Sequence, residues 1–236
     1  MSATPELRDV AAVAARLSPF DWRWADAERA ALDARWRAMA RDNPAMFDGR
    51  VLLAHRWRFA GERFEAEFFE TGFSRFIGWR DMGCPDPAVA NCFAMAALRG
   101  ADGAFLLGEM AAGTANTGKI YFPAGTPDRG DVVGESVDLA ASALRELCEE
   151  TGLTEADVEV EDRWCVLRHG QRLACLRPMA CRAPADAVAA TIHAALERQS
   201  ERELARMHVV RRTADIDARR MPPFIVAYLE DALARG

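Results

Sequence analysis

Apolar residues recur along this chain at two spacings, one typical of helices and one typical of strands. Predicted helices cover residues 5–17, 21–41, much of 186–205 and 223–234. Predicted strands cover Val51–Ala60, Phe64–Phe69, Cys92–Arg99, Ala104–Met110, Ile120–Phe122, Val158–Glu161, Trp164–Arg168, Arg172–Ala180 and His208–Arg211. Residues 72–79 fit a helix or a loop equally well. The mixture of helices and strands predicts an α+β fold.

One further predicted helix has clear signals at both of its ends. Asp138 or Ser136 is suited to cap its start, because a short polar side chain can accept hydrogen bonds from the first free backbone N–H groups. Gly152 follows Thr151 and is suited to end the helix in a left-handed conformation. The sequence therefore predicts a helix from about residue 138 to residue 151.

Three carboxylates lie on one face of this helix. Glu146, Glu149 and Glu150 are spaced i, i+3 and i+4, so their side chains point into the same small volume. Like charges this close repel each other unless a hard divalent cation with a preference for oxygen ligands lies between them. The alternative interpretation is a solvated acidic helix end, which leaves Arg145 and Gly152 on either side unexplained.

Composition narrows the classes of function. The 236 residues carry a net charge of -6, which argues against a nucleic-acid-binding surface as the main function. No apolar run approaches the roughly 20 residues of a membrane span, and the start lacks a signal-peptide pattern. The six cysteines form no CxxC pair, as expected of reduced thiols in a cytoplasmic protein. Lys119 is the single lysine among 30 basic residues, which indicates a GC-rich bacterial genome.

The acidic helix carries a family resemblance. The run Arg145-Glu146-Leu147-Cys148-Glu149-Glu150-Thr151-Gly152-Leu153, preceded by Gly125, resembles the box of the Nudix hydrolases, G-x5-E-x7-R-E-U-x-E-E-x-G-U. Phe122-Pro123-Ala124-Gly125 is similar to the lead-in of that box. The resemblance implies an α/β/α sandwich with a mixed sheet over residues 90–236. Residues 1–89 would then form an N-terminal extension of two helices and short strands.

The first half of the box departs from the family pattern. Nine residues separate Gly125 from Glu135, and nine more separate Glu135 from Arg145, where the family has five and seven. Residue 137 is Val rather than Glu. The simplest interpretation is an insertion within residues 126–137, with either Glu135 or Asp138 in place of the first box glutamate. Gly125 and Glu135 are accordingly predicted to belong to the loop that holds the substrate phosphates.

The resemblance implies a metal-dependent pyrophosphohydrolase and assigns roles to the box residues. Glu146, Glu149 and Glu150 are the predicted ligands of Mg²⁺ or Mn²⁺, and Arg145 is predicted to orient a glutamate through paired hydrogen bonds. Arg145, Glu146 and Glu149 are therefore candidate catalytic side chains. In this family the general base is a box glutamate or an acid on a distant loop. Glu203 is the candidate for such a loop acid, against the alternative of a solvated helix-end charge.

Substrate signals favour a nucleoside diphosphate sugar, largely by elimination. The motif that NADH-type enzymes carry after the box is absent, and His169 stands where ADP-ribose enzymes tend to have Pro. Asn116 takes the approximate place of an arginine in the coenzyme A pattern. The segments Asn43-Pro44-Ala45-Met46-Phe47-Asp48-Gly49 and Trp79-Arg80-Asp81 are faintly similar to the extension of UDP-sugar Nudix enzymes.

Two other hypotheses remain open at this point. The displaced first glutamate allows a catalytically weak nucleotide-binding or regulatory module on the same fold. The tryptophans Trp22, Trp24 and Trp36 allow the helices of residues 5–41 to be a partner-binding or dimerisation arm, so a homodimer is a further hypothesis. The predicted partner of the site itself is a small nucleoside diphosphate derivative, without nucleic acid or membrane.

Overall fold

Two β-sheets and six α-helices make up residues 4–43 and 46–235, the parts of the chain that this computed structural model describes. The helices are α1 (Arg23–Ala27), α2 (Arg29–Asp42), α3 (Phe73–Asp81), α4 (Leu139–Thr151), α5 (Ala185–Leu196) and α6 (Pro223–Arg235). The strands are β1 (Glu6–Val10), β2 (Ala12–Leu17), β3 (Arg50–Ala60), β4 (Arg63–Gly72), β5 (Asn91–Arg99), β6 (Phe105–Met110), β7 (Ile120–Tyr121), β8 (Ala124–Gly125), β9 (Val132–Val133), β10 (Ser136–Val137), β11 (Val158–Val160), β12 (Trp164–His169), β13 (Arg172–Cys181) and β14 (Leu204–Val210).

The main sheet has nine strands, with β1-β12-β13-β5-β6-β14 as its central order. Strands β13 and β5 run parallel, whereas the other pairs in this sheet are antiparallel, so the sheet is mixed. Helices α4 and α5 pack on one face, and α6 packs on the other. The predicted α+β class and the predicted α/β/α layering are therefore confirmed.

Strand β5 lies at the centre of this sandwich and is buried on both faces. Cys92, Ala94 and Ala96 point towards α4 and α5, and Phe93 and Met95 point towards α6. This alternation follows from the period of two in a strand. A strand covered on both sides reads as a continuous apolar run, which is the pattern of residues 92–98.

The second sheet has five strands in the order β3-β4-β2-β10-β9. Helices α1, α2 and α3 cover one of its faces through a cluster that includes Trp22, Leu32 and Trp79. Gly78 permits this contact, because a Cβ there would lie 2.4 Å from a methyl group of Leu32. Strands from the first 89 residues contribute to both sheets, since β1 belongs to the main one. The domain boundary between residues 89 and 90 stays a prediction.

The helix predicted over residues 5–17 is wrong, because this segment forms β1 and β2. Its Ala, Leu and Arg residues favour a helix, but local propensity is a weak prior that tertiary pairing overrides. Strand β1 pairs antiparallel with β12, and β2 lies between β4 and β10. All three partner strands are distant in sequence, so no local pattern predicts these pairings.

Three smaller differences concern helix boundaries. The helix predicted over residues 21–41 is divided at Glu28 into α1 and α2, and the undecided segment after Gly72 is helix α3. The helix predicted as far as Ala205 ends at Leu196. The predicted stop at Asn43-Pro44 lies partly outside the described residues, as does the Asn43–Gly49 motif. The remaining predicted strands and the last helix are confirmed within a few residues.

None of the helices in the described ranges is long and apolar enough to cross a membrane.

Candidate active site

Helix α4 presents the acidic face, and both of its ends are fixed as the sequence predicts. The carboxylate of Asp138 accepts hydrogen bonds from the backbone N–H groups of Ala140 (3.1 Å) and Ala141 (2.9 Å). Gly152 ends the helix with φ of 74°. The apolar face of α4 is buried against the main sheet. This packing fixes the rotation of the helix and therefore the direction of its carboxylates.

Four predicted acids meet at one cavity of about 410 Å³. Glu146, Glu149 and Glu150 line it from α4, and Glu203 lines it from the loop after α5. Gln199 ties this loop to the helix by donating a hydrogen bond to the backbone oxygen of Glu149 (3.1 Å). The backbone oxygen of Glu203 accepts a hydrogen bond from the N–H of Ala111 (2.7 Å). The structure thus brings Glu203 to the box glutamates although it lies more than 50 residues away in sequence.

Glu146 lies mostly out of solvent, with 13% of its side chain exposed. Burial raises the pKa of its carboxyl group to about 7, and the negative charges of Glu149, Glu203 and Asp131 add to the effect. Arg145 acts in the opposite direction. The carboxyl group of Glu146 therefore holds its proton to a higher pH than an exposed glutamate does in the protein without metal.

Glu150 is the most buried acid of the group, with 4% of its surface exposed. One carboxylate oxygen accepts a hydrogen bond from the backbone N–H of Ala124 (3.3 Å), whereas the other has no hydrogen-bond partner among the described residues. Burial and the charges of Glu146 and Glu203 raise its pKa well above the usual value. A buried carboxylate oxygen without a partner is costly, and a cation placed beside it would offset that cost.

Arg145 joins the helix to the preceding loop. Its guanidinium donates to both carboxylate oxygens of Asp131 (3.2 and 3.1 Å) and lies 3.0 Å from Glu146 and 3.0 Å from Glu149. Asp131 is buried, with 2% of its side chain exposed, and also accepts a hydrogen bond from the backbone N–H of Asp128 (3.0 Å). The paired hydrogen bonds of Arg145 thus go to Asp131 rather than to a glutamate, and Glu146 and Glu149 each have one contact with the guanidinium.

Asp131 is the acid that the sequence analysis missed. Of the two acids considered there, Asp138 caps α4, and Glu135 lies exposed in the turn between β9 and β10, outside the residues that line the cavity. Five residues separate Gly125 from Asp131, which is the spacing of the family box with Asp in place of Glu. A count of five residues after Gly125, with Asp allowed in place of Glu, identifies Asp131 from the sequence alone.

The extra residues of the box consequently lie after Asp131. Thirteen residues separate Asp131 from Arg145, where the box pattern has seven. The surplus forms the hairpin of β9 and β10, which joins the second sheet beside β2. The insertion thus connects the box to the N-terminal strands without displacing the acid that pairs with Arg145.

Gly125 lies directly beneath the carboxylate of Glu146. A Cβ at this position would lie 2.1 Å from Oε1 of Glu146, closer than any real contact. Gly125 belongs to β8, which pairs with β5 at Ala94. A glycine is therefore required here for close approach rather than for an unusual backbone angle.

The donor set fits a hard divalent cation, although ligation requires side-chain movement. In residues 4–43 and 46–235, no three His, Cys, Asp or Glu side chains stand arranged as a formed metal site. Glu149 lines the cavity and is 60% exposed, and its carboxylate would have to leave Arg145 to bind a cation. Carboxylates on two walls, with one buried oxygen of Glu150 unpaired, provide the oxygen ligands that Mg²⁺ or Mn²⁺ accepts.

Comparison with known proteins gives matches only among solved structures. No family model and no curated protein matches the chain. A Nudix hydrolase from M. smegmatis, RenU, is 15% identical over 59% of this chain and 80% of its own, with a TM-score of 0.39. The MutT protein from Methanosarcina mazei Go1 is 16% identical over 62% of this chain and 94% of its own, with a TM-score of 0.39. An Ap4A hydrolase from C. elegans, solved as a binary complex, is 17% identical over 62% of this chain and 93% of its own, with a TM-score of 0.40. The Nudix family, which residues 125–153 resemble in sequence, is thus also named among the solved structures similar to this chain.

Proposed function

We propose that this protein is a metal-dependent hydrolase of the Nudix type. It cleaves the diphosphate bond of a nucleoside diphosphate linked to another moiety, giving a nucleoside monophosphate and a second phosphorylated product. One observation carries the proposal: Glu146, Glu149, Glu150 and Glu203 line the same cavity, where one buried oxygen of Glu150 has no hydrogen-bond partner among the described residues.

The electrostatics of the cavity support a role for a divalent cation. A diphosphate is anionic and would be repelled by four carboxylates unless positive charge lies between them. Glu146, Glu149 and Glu150 would hold Mg²⁺ or Mn²⁺. The bound metal would supply Lewis-acid polarisation of the phosphate oxygens and a lowered pKa for a coordinated water.

Side chains of the protein would orient the metal ligands and accept a proton from the attacking water. Arg145, anchored by Asp131, fixes Glu146 and restrains Glu149. Glu203, on the opposite wall, is the proposed general base. The oxygen of a water molecule forms a bond to phosphorus, its proton passes to the Glu203 carboxylate, and the bridging P–O bond breaks with the electron pair leaving on the departing phosphate.

A nucleoside diphosphate sugar is the proposed substrate class. Its support comes from the sequence, through the absence of other substrate motifs and the faint similarity around residues 43–49 and 79–81. Arg198 is a cation on the cavity wall that could contact a phosphate. Asp48 accepts two hydrogen bonds from Ser74 (2.8 and 2.8 Å). These bonds fix the start of α3 beside the second sheet.

A regulatory module is the alternative that one observation favours. Arg145 lies 3.0 Å from both Glu146 and Glu149, so two of the proposed ligands are engaged within the protein. A module that binds a nucleotide without turnover could keep this arrangement. Tight binding by calorimetry without product after long incubation with Mg²⁺ would favour this alternative.

A hydrolysis assay with a panel of nucleoside diphosphate sugars tests the proposal. Wild type, Glu149→Gln and Glu155→Gln would be incubated with Mg²⁺, and the products identified by mass. Glu155 is an exposed acid outside the cavity and is the matched control. We expect a loss of about 100-fold or more for Glu149→Gln and no loss for Glu155→Gln. Equal rates for all three proteins would remove the box from the mechanism.

A further inference from the structure

One backbone carbonyl at the end of α4 receives its hydrogen bond from outside the helix. In a continuing helix the carbonyl oxygen of Glu149 would accept from the N–H of Leu153, four residues later. Helix α4 ends at Thr151, however, and the N–H of Leu153 donates to Oγ1 of Thr151 (3.2 Å). The side chain of Gln199 supplies the donor, with its Nε2 at 3.1 Å from the carbonyl oxygen of Glu149. Gln199 thus caps the helix whose glutamates line the acidic cavity of the candidate site.

The loop that carries Gln199 leaves α5 beside the same end of α4. A Cβ at Gly152 would lie 2.7 Å from the Cβ of Ala195, so the last turn of α5 packs directly on the residue that ends α4. The backbone N–H of Gln199 donates to the carbonyl oxygen of Leu196 (3.2 Å), which continues the turn of α5. Packing therefore fixes the start of this loop against α4, and the side chain of Gln199 adds a polar contact.

Glu203 lies at the other end of this loop. Its backbone oxygen accepts a hydrogen bond from the N–H of Ala111 (2.7 Å), directly after β6. The residue itself is exposed, so the direction of its carboxylate depends on the course of the loop backbone. Three residues, 200–202, separate Gln199 from Glu203. In so short a segment, a shift at Gln199 also moves Glu203 relative to α4.

We propose that Gln199 is a positioning residue that holds Glu203 in place across the acidic cavity from α4. Its hydrogen bond to Glu149 couples the loop of the base to the helix of the metal ligands. A general base must lie within hydrogen-bond distance of the attacking water, and a misplacement of about 1 Å can cost roughly 100-fold in rate. This inference rests on the proposed function, since it takes Glu203 as the acceptor of the proton.

The order of the loop can be measured without turnover, by ¹⁵N relaxation of residues 200–203. Gln199→Met keeps the length of the side chain and removes the donor, so we expect the order parameters to fall from about 0.85 to below about 0.6. Gln171→Met is the matched control, because Gln171 also donates to a backbone oxygen, that of Cys84, at 3.1 Å and does not line the acidic cavity. Unchanged order in Gln199→Met would overturn the proposal, whatever the activity.

A double-mutant cycle then tests whether Gln199 acts through Glu203. With Mg²⁺ and the nucleoside diphosphate sugar that wild type hydrolyses fastest, Gln199→Met should lower kcat about tenfold and change KM less than about twofold, whereas Gln171→Met should change neither. In a Glu203→Gln background, Gln199→Met should cause no further loss, because the base that it positions is gone. An equal loss in both backgrounds would reduce Gln199 to a helix cap and overturn the proposal. Absence of hydrolysis by wild type would count against the proposed function, and the order of the loop would still decide whether Gln199 holds it.

Discussion

The guanidinium of Arg145 lies 3.1 Å from the carboxylate of Asp131, an acid fourteen residues earlier in the chain. The same guanidinium lies 3.0 Å from Glu149, one helical turn later. Arg145 therefore connects the loop after Gly125 to the acidic face of α4. Because Asp131 is buried and Arg145 is about one third exposed, the pair is shielded from water mainly on the Asp131 side.

Asp131→Asn tests this connection. The amide keeps the shape but loses the charge that holds both hydrogen bonds of Arg145, so we expect a loss of about 1–3 kcal/mol in the free energy of unfolding. We also expect kcat to fall by about tenfold, since Arg145 would no longer be held in place beside the glutamates. Urea unfolding and a hydrolysis assay measure the two effects.

Glu135→Gln is the control for that change, because Glu135 lies exposed in the β9–β10 turn. Its unfolding free energy should change by less than about 0.5 kcal/mol, with activity unaltered. If Glu135→Gln lost activity while Asp131→Asn kept it, Glu135 would be the acid that completes the box.

Gly125→Ala should lower the hydrolysis rate by displacing the carboxylate of Glu146. The new Cβ would lie 2.1 Å from Oε1 of Glu146 and push that carboxylate out of position. A displacement of about 1 Å can cost roughly 100-fold in rate, so we expect a loss of that order. Gly49→Ala is the control, since its Cβ would meet only the exposed ring of Phe47 at 3.3 Å. Wild-type activity in Gly125→Ala would show that the position of Glu146 is unimportant.

The affinity for metal should depend on pH through Glu146. Burial raises the pKa of its carboxyl group to about 7, and the carboxyl group must lose its proton to bind a cation. As the pH increases towards 7, the affinity for Mn²⁺ should therefore rise by at least about tenfold per pH unit. Calorimetry at several pH values measures this slope. Glu146→Gln should bind Mn²⁺ more weakly and with a shallower slope, and an unchanged slope would assign the proton to another group.

The same shifted groups set the direction of a stability change with pH. The pKa values of Glu146 and Glu150 are raised in the folded protein, so their contribution to stability is complete below their unfolded pKa and is lost as pH rises through the folded value. Without metal, the contribution of these groups should fall between about pH 5 and pH 8. Mg²⁺ should consequently raise Tm more at about pH 8 than at about pH 6. An equal rise at both values would contradict ligation by these carboxylates.

Trp22 should contribute to stability rather than to association. It is 5% exposed within its own chain, and its indole N–H donates to Asp86 (2.9 Å). Trp22→Ala should lower the free energy of unfolding by about 3–5 kcal/mol and leave the mass measured by light scattering unchanged. Phe47→Ala, at a ring that is 82% exposed, should have little effect. A change in mass without a change in stability would support the dimerisation hypothesis, which stays a prediction.

The sequence predicts best the features that are local. Helix α4 could be predicted from a polar cap at Asp138, an apolar period and Gly152, all within fifteen residues. The spacing of Glu146, Glu149 and Glu150 predicts their shared face for the same reason. Glu203 lies at the acidic cavity with these three glutamates, and its role as a general base stays a proposal.

Features that depend on distant partners could not be predicted. Residues 6–17 favour a helix in isolation and become strands because β12, β4 and β10 offer unpaired edges. The role of Asp131 depends on Arg145, from which the β9–β10 hairpin separates it in sequence. The spacing from Gly125 to Asp131 matches the first part of the family box, but the box pattern has Glu where this chain has Asp.

The most direct test of the central claim is a ³¹P NMR time course with one nucleoside diphosphate sugar, UDP-glucose, in the presence and absence of Mg²⁺. Wild type, Glu149→Gln and Glu155→Gln would be compared at equal concentration. We predict that UMP and glucose 1-phosphate form only with Mg²⁺, at equal rates for wild type and Glu155→Gln and about 100-fold more slowly for Glu149→Gln. Hydrolysis at the same rate in Glu149→Gln, or at the same rate without Mg²⁺, would contradict the assignment of the acidic cavity as the site of metal-dependent hydrolysis.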